Sequence, residues 1–240
     1  MEQKLSVGET LSEVFRIYRD QAGVLLPVAF WVFLVVAVIE RLTAEVLALF
    51  PIALVVGLGA TFLYQGMVVR LVEDVQDGRR DHSVGDLVRS VVPVLWPLVG
   101  AGILASLGIG GGLILLVVPG LYLLTIWAVV SPVIVIERRR VFDAFGRSRQ
   151  LVRDHGWPTL GVMAVAFLIG AVVGILLVQL ADALAEGDIV RVVFSVLAQT
   201  VTAPVEGLVA AVLYFRLLEI KGAESASSAS AAAASPPVDS

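Results

Sequence analysis

The sequence contains no cysteine, which excludes disulfide bridges, thiolate-ligated metals and thiol redox chemistry. It has two histidines, His82 and His155. Neither stands at helical metal-ligand spacing from another histidine or a carboxylate, so no metal centre is expected. Charge is also scarce: 16% of residues are Asp, Glu, Lys or Arg, against about 25% in soluble domains. No serine, histidine and acid constellation and no phosphate-cradling glycine loop is visible. Nor do strands alternate with helices over the length that a catalytic barrel needs. These absences predict a protein that is not an enzyme and carries no cofactor. The net charge of −4 hides a strong asymmetry and says little about partners; no nucleic-acid partner is expected.

What the chain has in excess is hydrocarbon. With 58% hydrophobic residues and a mean hydropathy of +0.95, the composition is that of a polytopic membrane protein. Apolar runs predict six spans, at residues 22–39, 46–69, 92–118, 121–136, 159–180 and 190–218. Between them lie three segments with an apolar stripe opposite a polar one, at residues 7–20, 83–91 and 141–154. Such segments read as amphipathic helices lying in the membrane interface. In the third, Val141, Ala144, Phe145, Ser148, Leu151 and Val152 share one side, with Asp143, Arg147, Arg149, Gln150, Arg153 and Asp154 on the other. Turns are expected at Pro119-Gly120 and from His155 to Pro158.

The fold class that follows is an all-α membrane bundle, a single domain over residues 1–221. The Ala/Ser/Pro-rich stretch at residues 222–240 is expected to be a disordered tail. The first 20 residues mix acids and bases and are followed by no small-residue cleavage site, so the first span reads as an uncleaved signal anchor. All of the 17 Lys and Arg residues except Arg41 and Arg191 fall on one side of a six-span arrangement. The positive-inside rule then places both termini in the cytoplasm, in the inner or plasma membrane of the cell. A weak internal repeat agrees with this division: SVGETLSEVFRIYRD at Ser6 aligns with SVGDLVRSVVPVLWP at Ser83, and RVFDAFGRSRQLVRD at Arg140 closes on the same Arg-Asp pair.

The densest stretch, PGLYLLTIWAVVSPVIVIE followed by AFGRSRQLVRDHGW, resembles the membrane domain associated with glycerophosphoryl diester phosphodiesterases, a family of integral membrane proteins that also occurs without a catalytic domain. The opening SVGETLSEVFRIYRDQAGVLL and the closing APVEGLVAAVLYFRLLEIKG fit the same pattern, so the resemblance covers residues 5–222. The positions that carry it are Pro119, Gly120, Pro132, Glu137, Arg147, Ser148, Gly156 and Trp157; Pro158 departs from it, where a second aromatic residue would be expected. The resemblance implies a helical membrane domain and assigns no hydrolytic role to this chain.

Two sets of residues offer chemistry. Arg138, Arg139, Arg140, Arg147, Arg149 and Arg153 sit where hydrocarbon ends, and each basic group near an anionic leaflet contributes about 1 kcal/mol of attraction. They are candidate contacts for lipid head groups, although setting topology alone would also account for them. Glu206 lies well inside a span, where a carboxylate costs about 2.5–3.5 kcal/mol on insertion scales and must face protein or water. It is a candidate proton, cation or amine site, or else a structural hydrogen-bonding group in a helix bent at Pro204. Glycines and prolines interrupt several spans, among them Gly108, Gly112, Gly170 and Gly174. Close helix packing explains these more simply than a transport site does. The expectation is a non-catalytic membrane protein that engages anionic lipids or a membrane protein partner at the cytoplasmic leaflet. The alternative is a transporter or lipid translocase built on Glu206 and the broken helices.

Overall fold

The computed structural model describes residues 5–43, 46–78, 83–184 and 188–234. Every element in them is helical: α1 (Val7–Thr43), α2 (Phe50–Gln76), α3 (Val84–Val91), α4 (Leu95–Leu115), α5 (Val117–Ile126), α6 (Val130–Glu137), α7 (Val141–Val152), α8 (Gly156–Leu184) and α9 (Asp188–Ala234). Six stretches are long and apolar enough to cross a bilayer, with α3 running into α4 and α5 continuing as α6. Intrahelical hydrogen bonding is what makes this possible, because hydrocarbon offers backbone groups no other partner. α1 runs on to Thr43, past the predicted end of span one at residue 39, and His82 lies outside the described residues.

The three amphipathic segments do not share one fate. The first is no separate helix: residues 7–20 are the opening turns of α1, which passes Gly23 and Pro27 without interruption. Its stripe of Thr10, Val14 and Ile17 is buried because α1 packs along α9. Side-by-side packing of this kind outweighs the about 1 kcal/mol that one glycine costs a helix. The second segment does stand apart as α3. Ser83 Oγ accepts the Asp86 backbone N–H at 3.3 Å while the Asp86 carboxylate accepts the Ser83 N–H at 3.3 Å, a reciprocal cap that starts the helix. A 3-10 turn at Val92–Val94, containing Pro93, divides it from α4. The third segment is α7, and its apolar side faces protein rather than acyl chains: Ala144, Ser148, Leu151 and Val152 are all buried.

Both predicted turns move. The chain reverses at Leu116, the one extended residue between α4 and α5 (φ −157°, ψ 132°); Pro119 and Gly120 lie within the first turn of α5. Proline belongs there, because the first-turn N–H groups have no intrahelical partner. Gly120 allows α4 and α5 to touch: a methyl on Gly112 would lie 2.9 Å from Gly120 Cα. Similarly, α8 begins at Gly156, and the turn before it is made by Arg153 and Asp154, the latter with φ 77°. Span four is not continuous either, being divided into α5 and α6 by Trp127–Val129. The stretch expected as a tail continues α9 to Ala234; alanine extends an existing helix at little cost, since nucleation is already complete.

Packing is uneven along the membrane-crossing direction. Buried side chains crowd the end shared by Tyr64–Val72 of α2, all of α6, and Gly207–Ile220 of α9. At the opposite end Ile114, Leu115, Val118 and Ile189 are each more than three-quarters exposed. The helices therefore converge at the α7 end and spread at the other.

The Gly112–Gly120 approach can be tested. Gly120→Val should drive α5 off α4 and cost about 1–3 kcal/mol of stability as overpacking. Gly170→Val, at a position with nothing within 4 Å, should change stability by no more than about 0.5 kcal/mol. Thermal unfolding of the two variants in the same detergent separates them; equal melting would mean that the glycine contact is not a constraint.

Candidate functional site: a basic groove beside a broken span

The break in span four frees carbonyls that hydrocarbon cannot satisfy. Ser148 on α7, itself fully buried, donates its hydroxyl to the Ile126 carbonyl at 2.8 Å. Trp127, in the break, stacks edge-on against Phe145 of α7 with ring centroids 4.8 Å apart. Its other side fits against α4 at Gly108, where a methyl would lie 2.5 Å from the indole Cζ3. Further along, the last turn of α6 is tied down by Arg70, whose guanidinium donates to the Val135 carbonyl and to Glu73. Arg138 then ends α6 in the left-handed conformation at φ 52°, a helix stop usually given to glycine.

Glu137 is the hub of this end. Its carboxylate accepts Arg139 Nε at 2.6 Å, Arg147 Nε at 3.0 Å and the Tyr214 hydroxyl at 3.2 Å, joining α6, α7 and α9. A carboxylate at a helix C-terminus opposes the helix dipole, and the guanidinium groups offset that. A second cluster ties α1 to α9: Arg216 donates to Glu13 at 2.8 Å and Glu9 at 3.4 Å, and Gln76 of α2 reaches Glu13 at 3.0 Å. Finally Lys221 of α9 donates to Asp154 at 3.1 Å. That hydrogen bond holds the Asp154 carboxyl below its ordinary range.

The six candidate arginines thus separate. Arg139 and Arg147 are committed to Glu137, and Arg138 and Arg140 are exposed in the connection between α6 and α7. Arg149, in the last turn of α7, and Arg153, the residue that follows α7, make no ion pair among the described residues. They line a groove of about 860 Å³ between α5, α7 and α8. Its opposite wall is apolar, with Val118, Leu121 and Tyr122 from α5 and Trp157 and Leu160 from α8. Asp154, the acid on its rim, is already neutralised by Lys221. Trp157 is 85% exposed, as are Phe142 (76%) and Trp96 (73%). All three stand near the first turn of their helices, and Trp96 and Trp157 carry the amphipathic rings that mark a membrane interface.

Of the motif positions, Glu137, Arg147 and Ser148 are brought together around α6 and α7, Gly156 and Trp157 line the groove, Pro119 and Gly120 form the α4–α5 hairpin, and Pro132 is buried in α6. Glu206 does not line the groove: it is exposed on α9 and without a hydrogen bond or ion pair among the described residues. His155 is buried beside the groove with its Nδ1 unpartnered. The sequence pattern missed Arg70, Tyr214 and Lys221, since their roles depend on helix neighbours distant in sequence. Comparison of the chain with models of protein families, with curated proteins and with solved structures gives no match.

The dependence of the break on Ser148 is measurable. Ser148→Ala leaves the Ile126 carbonyl buried without its donor and should cost about 1–3 kcal/mol. Ser148→Thr, which keeps the hydroxyl, should recover part of that. Unfolding curves that place the alanine variant at the parent stability would remove Ser148 from this role.

Proposed function

We propose that the protein is a non-catalytic, multi-pass protein of the inner or plasma membrane, with both termini cytoplasmic, that binds anionic phospholipid of the cytoplasmic leaflet in the groove between α5, α7 and α8. One observation carries the reading: two unpaired guanidinium groups, Arg149 and Arg153, stand over a groove whose far wall is apolar. A phosphate needs the first and an acyl chain the second. The charge asymmetry of the sequence supplies the orientation, and the exposed Trp96, Phe142 and Trp157 suit the same interface. The resemblance to the phosphodiesterase-associated membrane domain fits a membrane role without hydrolysis.

A transporter or lipid translocase is the second reading, favoured by the break at Trp127–Val129 in span four, since discontinuous helices recur where transporters bind substrates.

The lipid reading is tested by native mass spectrometry of the protein released from nanodiscs of phosphatidylcholine containing a small fraction of phosphatidylglycerol. One phosphatidylglycerol should be retained in preference to phosphatidylcholine. Replacing Arg149 and Arg153 together by Gln removes two basic contacts of about 1 kcal/mol each, a loss of roughly 30-fold in retention. Arg138→Gln with Arg140→Gln, outside the groove, should leave retention unchanged. Equal retention of the two lipids, or indifference to the groove variant, would sink the assignment.

A further inference from the structure

The polar residues of α9 form a line. Ser195, Gln199, Thr202 and Glu206 recur at spacings of four, three and four, which places them on one side of a helix. Ser195, Gln199 and Glu206 are exposed and Thr202 half-buried. Continued along the helix, the same side carries Leu213 and Leu217, both fully buried. That portion is covered where α6 and α7 pack on α9, beside the hydrogen bond from Tyr214 to Glu137. Beyond the break at Trp127–Val129 the cover ends, because α5 packs instead against α4, α7 and α8. Glu206 is therefore the first residue of the line left open beneath the break.

Along its own helix Glu206 has no close charged neighbour. Along α9 the nearest charged residues are Arg191 and Arg216, about 22 and 15 Å away at 1.5 Å per residue. Arg216 is already held by Glu9 and Glu13, and Arg191 by Asp182 at 3.0 Å. On α1, whose Tyr18 hydroxyl reaches the Val201 carbonyl of α9 at 3.2 Å, Arg16 and Arg19 stand on either side of that contact and face Glu13 at 3.8 Å and Asp20 at 3.7 Å. A second copy of the chain packed in parallel on this face would bring Glu206 against Glu206, which is unfavourable in hydrocarbon.

The hydroxyl chemistry narrows what could answer it. Ser195 Oγ donates to the Val192 carbonyl at 2.8 Å, and Thr202 Oγ1 to the Ala198 carbonyl at 2.9 Å. Each hydroxyl has spent its one hydrogen on its own helix, so its oxygen turns only lone pairs outward. Ser195 lies about 16 Å along the helix from Glu206, out of reach of one ammonium group, so the site is the Gln199 amide oxygen, Thr202 Oγ1 and the Glu206 carboxylate, within about 10 Å along the helix. We propose that this face of α9 is a binding site for a protonated primary amine, whose ammonium group brings one positive charge and three N–H donors. This site is distinct from the groove and does not rest on the lipid reading. The amine could belong to a free small molecule or to the head group of an aminophospholipid.

The test uses the full chain in phosphatidylcholine nanodiscs and propylammonium as the probe, read by saturation-transfer NMR. Saturable binding is expected, with Glu206→Gln weakening it at least tenfold and Gln199→Leu several-fold. Tetramethylammonium, which has the charge but no N–H, should bind at least tenfold more weakly than propylammonium. Repeating the titration in phosphatidylethanolamine nanodiscs separates the sources: occlusion of the probe assigns the site to the lipid head group, and undiminished binding assigns it to a free amine. The proposal is overturned if propylammonium shows no saturable binding, or if tetramethylammonium binds equally well. It is overturned too if the Glu206→Gln protein binds like the parent. Should that variant fail to accumulate, unchanged binding by Gln199→Leu has the same force.

Discussion

The hydrogen bond from the Ser148 hydroxyl to the Ile126 carbonyl complements the backbone turn bonds that bridge the interruption of span four, from Ala128 N–H to the Thr125 carbonyl and from Val130 N–H to the Trp127 carbonyl. A helix may break in hydrocarbon only where the carbonyls it frees find donors, and here α7 brings one. Because Ser148 lies on the buried side of α7, that helix is held against the bundle. The same docking sets Phe145 on Trp127 and turns Arg149 and Arg153 toward the groove. The groove lies beside the break, between α5, α7 and α8.

The span count and the polar line on α9 could be read from the sequence, because both are periodic. Six apolar stretches need only a count of hydrocarbon length, and Ser195, Gln199, Thr202 and Glu206 need only the helical period. What periodicity cannot supply is the partner of an apolar stripe. Ala144, Leu151 and Val152 satisfy the pattern of a helix in acyl chains as well as that of a helix docked on protein; the structure docks them. The continuity of α1 was hidden for the same reason. A change from polar to apolar composition near Asp20 resembles an element boundary, yet the backbone crosses it unbroken because α9 lies alongside.

The arginines show a different limit. Six lie between Arg138 and Arg153, and composition treats them as one cluster. Geometry divides them by what lies within reach: Glu137 takes Arg139 and Arg147, and Asp154 is hydrogen-bonded to Lys221 while Arg153 interacts with it only as a nearby charge. Lys221 is distant in sequence and invisible to any local window. Which guanidinium groups remain available for a ligand is thus decided by tertiary pairing.

The pairing also explains why the groove and the α9 face stand out physically. At the α7 end, acids and bases largely answer one another: Glu13 with Arg216, Glu73 with Arg70, Glu137 with Arg139 and Arg147, and Asp154 with Lys221. Charges against an apolar surface are costly unless paired, so such mutual neutralisation is what a stable membrane bundle requires. Arg149 and Arg153 in the groove, and Glu206 on α9, depart from it in opposite senses. The first two present positive charge beside an apolar wall, and the third presents a carboxylate with acceptor oxygens in line. Neither can neutralise the other, since Glu206 stands on the far side of the packed zone formed by α6 and by Gly207–Ile220 of α9. On the readings proposed above, an anion answers the first pair and a cation the third.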